Sequence, residues 1–447
     1  MGAGPGGYVA AIRLAQLGKQ PILVEKDRLG GECLNYGCIP SKALISAAKL
    51  FTSLKKASEV GIIAHAIQLD VTKLQDWKNS TILKLSSGVD TLCKSSGVKL
   101  LKGEASFLSS NQVQVQTPSS VELIETTNTI VATGTEAIEL SGFKFEKRIF
   151  SSKEALDLPA IPQKLLIIGG GLIGLELGTL FADLGSKITI VELTGQLLPG
   201  TDPELVRVVG RQVEKRGVDV FLNSRAKSVR RGETLTVEVE TERGEIQVQC
   251  DGVLVAVGKR ANTSSLHLEK VGVEVNENGY IMVNDRMRTN VPGIYAIGDI
   301  TGPPFLAHKA SKEGIIAAEA VAGLSTVREF QAMPAVIFTD PEIAYVGLSE
   351  NEARSRGYEP LVGKFPFVAS GRALTMRETE GFVKIIADKS SRVVLGIEMV
   401  GADVSNLVSE ACLAIELGAR FEDLALTVHP HPTLSEGIME AAEILLG

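Results

Sequence analysis

The chain has little of several things, and each shortage narrows the reading. No segment reaches the ~18 uninterrupted apolar residues of a membrane-spanning helix, so a membrane partner is not expected. No block of Lys and Arg occurs, and 46 basic residues face 53 acidic ones for a net charge of -7, so nucleic acid is not an expected partner either. The N-terminus lacks the basic and apolar regions of a secretory signal, which makes the cytoplasm the expected location. Aromatic residues make up only 5% and histidines number five, so any histidine in a polar motif is worth following. Cysteine is scarce too, at five. Zinc or an iron-sulfur cluster would want about four clustered ligands, whereas Cys93, Cys250 and Cys412 stand singly in apolar or strand-like stretches and read as small buried hydrophobes. No metal is expected. At 447 residues, 44% of them hydrophobic, the chain is too long for one core and implies about three domains.

What is present centres on the other two cysteines. Cys33 and Cys38 lie in the run Gly30-Gly31-Glu32-Cys33-Leu34-Asn35-Tyr36-Gly37-Cys38-Ile39-Pro40-Ser41-Lys42, at an expected helix start. Five residues of regular helix advance ~7.5 Å, while a disulfide wants its Cα atoms within roughly 6.8 Å. A disulfide there demands a distorted helix, and Gly37 permits one. Strained or exposed disulfides are the easily reduced ones, and in a reducing compartment a reactive pair is more often catalytic than structural. A helix N-terminus would lower the pKa of a nearby thiol. Two inert core thiols remain the alternative.

The pair follows a nucleotide fingerprint. Gly2-Ala3-Gly4-Pro5-Gly6-Gly7 fits G-x-G-x-x-G, and a helical stretch from Tyr8 to Gly18, the strand-like Pro21 to Val24 and Glu25 come after it. The first glycine makes the tight turn, the second lets backbone approach a diphosphate, the third lets the helix pack closely, and the acid takes ribose hydroxyls. The pattern returns complete at Lys164 to Gly174, with glycines Gly169, Gly171 and Gly174, a helix to Gly185, a strand Lys187 to Val191 and Glu192. Glu192 would repel a 2′-phosphate, which favours NAD over NADP. In the first copy only Met1 precedes Gly2, so a parallel sheet would lack its central strand. A start assigned too late, a trimmed chain, or a natural protein with impaired flavin binding would each give that pattern.

Elsewhere Phe51 to Ser96 reads as helical, with a pair around Leu54 to Val60 and Trp77 to Leu92, and Val98 to Val131 reads as short strands. Strands are expected at Thr234 to Val248 and Gly252 to Val257, leading into Gly258-Lys259-Arg260. Ile294 to Asp299 is a buried strand ending in Gly-Asp, where ligands bind in open α/β sheets, although an aspartate there also serves as a cap or turn former. From Phe330 onward, strands at Val336, Phe365, Val383 and Val393 precede helices, the pattern of an α+β domain. Near the C-terminus, His429-Pro430-His431-Pro432-Thr433-Leu434-Ser435-Glu436 places both histidines before prolines, which biases them to extended backbone and opposite sides. Glu436 reads either as the carboxylate that orients His431 or as the capping-box acid of a final helix.

Together these runs resemble the flavin-dependent pyridine nucleotide-disulfide oxidoreductases over nearly the whole chain, and most of all the dihydrolipoamide dehydrogenase group within them. The resemblance implies an α/β fold with two doubly wound dinucleotide-binding domains and a C-terminal α+β dimerisation domain: residues 1–150 for FAD, 151–270 for NAD, 271–329 returning to the FAD domain, and 330–447 as the interface. It implies FAD contacts at Gly2, Gly4, Gly7, Glu25, Lys42, Ala105, Asp299 and Ala307. NAD contacts fall on Gly169, Gly171, Gly174, Glu192 and Gly258. The redox pair falls on Cys33 and Cys38, the base on His431, its orienter on Glu436, and an ion pair beside the flavin on Lys42 and Glu176. A homodimer whose base reaches the other subunit's cysteines, and a lipoyl-bearing carrier domain of a 2-oxo acid dehydrogenase or glycine cleavage complex as partner, are implied likewise. Glu32 departs from the family's usual threonine near the flavin diphosphate, where a carboxylate is electrostatically awkward unless it points to solvent. Competing readings are an NAD(P)H-dependent reductase of another disulfide or of mercuric ion, and a non-catalytic flavin-fold scaffold.

Overall fold

The computed structural model describes residues 1–447. They form two compact units, Met1–Ile161 with Val257–Glu329, and Pro162–Ala256 with Phe330–Gly447. No helix is long and apolar enough to cross a membrane.

In the first unit the glycine turn opens the helix Pro5–Gln16, and the strand Ile22–Glu25 runs parallel to Lys99–Lys102 in the register Ile22 to Lys99. A second parallel pair, Thr129–Val131 with Ile294–Ala296, stands apart from the first. The two pairs are separate two-stranded sheets. Met1 and Gly2 bridge the pieces, since the Gly2 N–H donates to the Val24 carbonyl at 2.8 Å and the Ala132 N–H to the Met1 carbonyl at 2.8 Å. The helix Ala307–Ala322 lies against Pro5–Gln16 closely enough that a Cβ on Gly314 would sit 2.5 Å from the Gly6 carbonyl oxygen.

The helical region departs from the expected pair. One helix runs Cys38–Lys55, the stretch Ala57–Val60 is a single 3-10 turn, and the next helix is Val71–Ser95, started by Asp70, whose side chain accepts the Lys73 N–H at 3.0 Å. Apolar periodicity near Leu54 to Val60 came from the end of one helix running into a turn, which spacing alone does not separate.

The second unit holds a parallel sheet in the order Asp219–Phe221, Lys187–Val191, Lys164–Ile168, Gly252–Val255, with the helix Leu172–Asp183 following the glycine turn. The expected strand region from Thr234 is a hairpin, Leu235–Thr241 with Gly244–Cys250. The C-terminal segment folds into a five-stranded antiparallel sheet ordered Ala335–Ile337, Glu342–Gly347, Val394–Gly401, Phe382–Asp388, Pro360–Pro366, backed by the helices Val408–Glu416 and Glu436–Glu443. Val383, Ile385, Ile397 and Met399 fill its core with Phe367, Ile438 and Ala441. The strand Glu342–Gly347 was not anticipated from sequence.

Every residue of Phe382–Asp388 is buried, Lys384 included. Its ammonium meets Glu398 at 2.5 Å, Asp202 at 2.9 Å and Glu204 at 3.3 Å, tying the sheet to the start of the helix Pro203–Lys215. Burial pushes the Glu398 carboxyl up to about 7, although Lys384 opposes the shift. Removing one partner of a buried ion pair leaves the other uncompensated, at a cost of roughly 3–5 kcal/mol. Lys384→Met is expected to lose that much stability in urea denaturation at neutral pH, and Lys384→Met/Glu398→Leu to recover part of it. A single variant as stable as the parent would contradict the role given to this cluster.

Candidate active site

The two glycine fingerprints fold alike down to single hydrogen bonds. Gly2 and Gly169 both have left-handed φ, +93° and +105°, which L side chains rarely adopt. A Cβ on Gly7 would lie 1.9 Å from the Gly2 carbonyl oxygen, and one on Gly174 would lie 1.9 Å from that of Gly169. The third glycine thus clears the turn's own carbonyl, rather than chiefly the neighbouring strand. The acids match as well. Glu25 Oε2 accepts the Ala3 N–H at 2.7 Å, and Glu192 Oε2 accepts the Gly170 N–H at 2.6 Å. Each acid binds the backbone between the first two glycines, so it fixes the turn in addition to the ribose contact expected of it. Sequence reading assigned only the second of these tasks.

Gly4 and Gly171, the N-caps of the two twelve-residue helices, make no side-chain cap hydrogen bond. A Cβ on Gly171 would meet nothing within 4 Å, and one on Gly4 would meet only the Gly31 Cα, at 4.0 Å. Open N–H groups at a helix start, with room in front of them, suit a diphosphate.

In the first unit this space is a cavity of about 610 Å³. Gly2, Gly4, Glu25, Cys33, Cys38, Ala105, Asp299 and Ala307 all line it, so these residues expected from sequence come together on one wall system. Its size is that of a cofactor site, and the bare glycine turn, the ribose acid and the redox pair at its edge fit FAD. Gly7 and Lys42 do not line it. Gly7 lies beneath the turn, and Lys42 follows Cys38 by four residues in the helix Cys38–Lys55, where its charge favours ionisation of Cys33.

The expected helix distortion is present. Gly31–Tyr36 and Cys38–Lys55 are separate helices broken at Gly37, whose φ and ψ are -133° and -102°. The Asn35 side chain braces the first by donating to the carbonyls of Leu29 and Gly31, at 3.0 and 2.9 Å. Both cysteines are thiols here, Cys33 half-buried and Cys38 exposed. The expectation that a helix terminus lowers the nearby thiol's pKa does not hold for Cys33: its hydrogen bond with Cys38, then burial, push it up, and Lys42 only opposes this. A six-residue helix lacks the dipole to outweigh those two effects.

Asp299 sits at the turn after Ile294–Ala296, as expected, and burial raises its carboxyl pKa while Lys259 opposes the rise. Lys309 and Glu313 clamp that turn from the helix Ala307–Ala322. The Lys309 ammonium donates to the Gly302 carbonyl at 2.7 Å, and Glu313 accepts the Gly298 N–H at 2.7 Å. Neither was singled out from sequence, although their spacing of four on one helix was a readable signal. Gly258 has φ +127° and accepts the Ile138 N–H at 3.1 Å.

Glu32 does not simply point to solvent. It forms an ion pair with Lys259 at 2.5 Å, on the cavity wall.

Lys42 and Glu176 are carried by different units. Glu176 is buried in the helix Leu172–Asp183 and accepts the Phe338 N–H at 2.8 Å.

The C-terminal histidines diverge as expected. The His429 ring is buried, with Nδ1 on the Thr427 carbonyl and Nε2 on Glu410, both at 2.8 Å. Both ring nitrogens are engaged by these two neighbours, so neither is left open toward a substrate. The His431 side chain is 78% exposed, with Nδ1 on Glu436 Oε1 at 2.9 Å. That bond fixes the Nδ1–H tautomer and directs the Nε2 lone pair outward. Glu436 Oε2 also accepts the Thr433 N–H at 2.7 Å, but the helix Glu436–Glu443 is capped at Ser435 without a side-chain hydrogen bond, so the expected capping box is only half formed. The Thr433 bond, then His431, hold its carboxyl below the usual carboxylate range.

Residues 1–314 match the family model described as pyridine nucleotide-disulphide oxidoreductase, and residues 333–442 match that family's dimerisation domain, which fits a homodimer. The chain is 47% identical to the dihydrolipoyl dehydrogenase of Geobacillus stearothermophilus over 448 residues, covering all of this chain and 95% of that protein. It is 47% identical to the Bacillus subtilis protein of the same name over 449 residues, covering all of this chain and 96% of that protein. Among solved structures, LpdA of Mycobacterium tuberculosis superposes with TM-score 0.94 at 29% identity, over 100% of this chain and 99% of that one. The HOCl-induced flavoprotein disulfide reductase RclA of Escherichia coli gives 0.89 at 26% identity, over 99% and 98%. FAD and NAD are the cofactors of this family, and the chain, an oxidoreductase by its fold, its cysteine pair and its relatives, belongs to the pyridine nucleotide-disulphide oxidoreductases.

Proposed function

We propose that the chain oxidises dihydrolipoamide, presented on the lipoyl-bearing domain of a 2-oxo acid dehydrogenase or glycine cleavage complex, to lipoamide, with NAD reduced to NADH. It works as a homodimer in the cytoplasm. The observation that carries this reading is the Cys33–Cys38 pair at the break between two helices, on the wall of the cavity that the glycine turn opens.

The oxidised enzyme holds these two sulfurs as a disulfide. His431 of the partner subunit takes a proton at Nε2 from one dihydrolipoamide thiol, and the thiolate attacks the Cys33 sulfur. The Cys33–Cys38 bond breaks and Cys38 leaves as thiolate. The second substrate thiol then displaces Cys33, closing the lipoamide ring and leaving both enzyme sulfurs reduced. Glu436 keeps the imidazole in the required tautomer and steadies its protonated form. Bound FAD supplies the two-electron path from the Cys38 side to NAD. Lys42 and Glu176 are the residues assigned to steadying negative charge on the flavin that the site would hold. Gly2, Gly4 and Glu25 hold the diphosphate and ribose of FAD, with Ala105, Asp299 and Ala307 completing the wall. Gly169, Gly171, Gly174 and Glu192 do the corresponding work for NAD, with Gly258 at the neighbouring turn.

The test is NADH formation from dihydrolipoamide and NAD, with reduced glutathione and NADP as the alternative substrates. Turnover confined to dihydrolipoamide and NAD supports the reading, and turnover with glutathione and NADP instead would replace it. Glu192→Gln keeps an acceptor for the Gly170 N–H but removes the charge that repels a 2′-phosphate. It is expected to raise kcat/KM for NADP roughly tenfold, about 1.4 kcal/mol, and an unchanged NAD to NADP ratio would remove Glu192 from cofactor choice.

A further inference from the structure

Glu32 is the second residue of the helix Gly31–Tyr36, and Lys259 opens the strand Lys259–Ala261, 227 positions away. Their 2.5 Å bond joins a carboxylate side chain 38% exposed to a lysine only 16% exposed. Both line the cavity beside Gly4 and Asp299. Gly31 packs on the glycine turn so tightly that a Cβ there would lie 2.5 Å from the Gly4 Cα, which hangs Glu32 next to the open N–H groups of the Pro5–Gln16 helix. Any dinucleotide whose diphosphate uses that turn brings two negative charges close to the carboxylate. Like charges at such separations repel appreciably in a partly buried site, unless a cation cancels one of them.

Resting on the assignment of FAD to this cavity, we propose that Lys259 is the counter-charge that lets a carboxylate stand at position 32, and that the Glu32–Lys259 pair sets how tightly the chain holds the diphosphate of FAD. The two residues act as one unit. The pair presents no net charge to the diphosphate, and it braces the strand Lys259–Ala261 against the helix that carries Cys33. Loss of Lys259 alone exposes the carboxylate. Loss of Glu32 alone frees a cation toward the diphosphate, and loss of both restores neutrality.

The experiment follows flavin release from diluted holoenzyme by flavin fluorescence, for the parent, Lys259→Met, Glu32→Thr and the double variant. It runs from about 0.01 M to about 1 M salt, over which the Debye length falls from about 30 Å to about 3 Å. Lys259→Met is expected to weaken FAD retention at least tenfold at low salt, with the deficit shrinking as salt rises. Adding Glu32→Thr to it should return retention to within about threefold of the parent. Glu32→Thr alone should hold FAD at least as tightly as the parent at low salt and lose that advantage at high salt. Should Lys259→Met fail to fold, the Glu32→Thr series decides: weaker retention, or retention indifferent to salt, overturns the proposal. So does a double variant as poor as Lys259→Met, which would make Lys259 a brace independent of Glu32. A parent chain that takes up no FAD would overturn the cofactor assignment itself, an outcome separate from any difference among variants.

Discussion

Cys38→Ser is expected to abolish dihydrolipoamide turnover, by at least roughly 10⁴-fold, while the protein still binds FAD. Removing a covalent participant typically costs effects of that size, and serine can neither form the disulfide nor carry the charge that Cys38 carries. The substitution is small. Cys38 opens the helix Cys38–Lys55 and is exposed, so its loss leaves no cavity in a core. Cys33→Ser should be equally inactive toward substrate for a different reason, because the sulfur that substrate attacks is gone. The two variants should nevertheless differ in charge state. Cys33 is the thiol pushed up by its hydrogen bond with Cys38 and by burial. A Cys33→Ser protein keeps the sulfur that leaves as thiolate in the proposed reaction, and a Cys38→Ser protein keeps only the thiol that burial pushes up. Iodoacetamide should alkylate the first faster than the second at neutral pH. Loss of flavin from Cys38→Ser, instead of loss of turnover alone, would make the pair structural.

His431→Gln is expected to lower kcat by about 10²–10⁴-fold, the usual worth of a positioned general base, with FAD content unchanged. Glu436→Gln should fall between that variant and the parent, since a neutral amide can still meet Nδ1–H but steadies the imidazolium less. The pH dependence has a definite sign. Thr433 first, and then His431, hold the Glu436 carboxyl below its usual range, so its ionised form persists well into acid. Its support for His431 is therefore present at and above ordinary carboxylate pKa values and is lost only as pH falls through the lowered one. His429→Gln is the control: its ring nitrogens are both engaged, by the Thr427 carbonyl and Glu410, so that variant should lose stability through the broken Glu410 contact more than it loses base catalysis.

What could be read from the sequence follows the reach of the forces involved. The broken helix at Gly37 was legible because disulfide geometry and helix rise conflict within six consecutive residues. The twin glycine turns were legible because each is a local backbone requirement, and Gly2 and Gly169 indeed occupy the left-handed region. The tie from Glu25 to the Ala3 N–H was not, since a ribose acid and a turn brace share one spacing. Glu32 was noticed as awkward, but its partner lies on a strand that only the folded chain brings near. The same holds for Lys384, whose carboxylates come from a helix start and a neighbouring strand. In Phe382–Asp388 full burial erased the alternation that marks a half-exposed strand, and the charged residue inside it gave no hint of being paired.

The most direct measurement is the visible absorption spectrum of the purified chain, before and after one equivalent of dihydrolipoamide under anaerobic conditions. The account predicts a flavin band that gains long-wavelength thiolate-to-flavin absorption on reduction of the Cys33–Cys38 pair, with the gain absent in Cys38→Ser. A colourless protein, or a flavin spectrum indifferent to dihydrolipoamide, would contradict it.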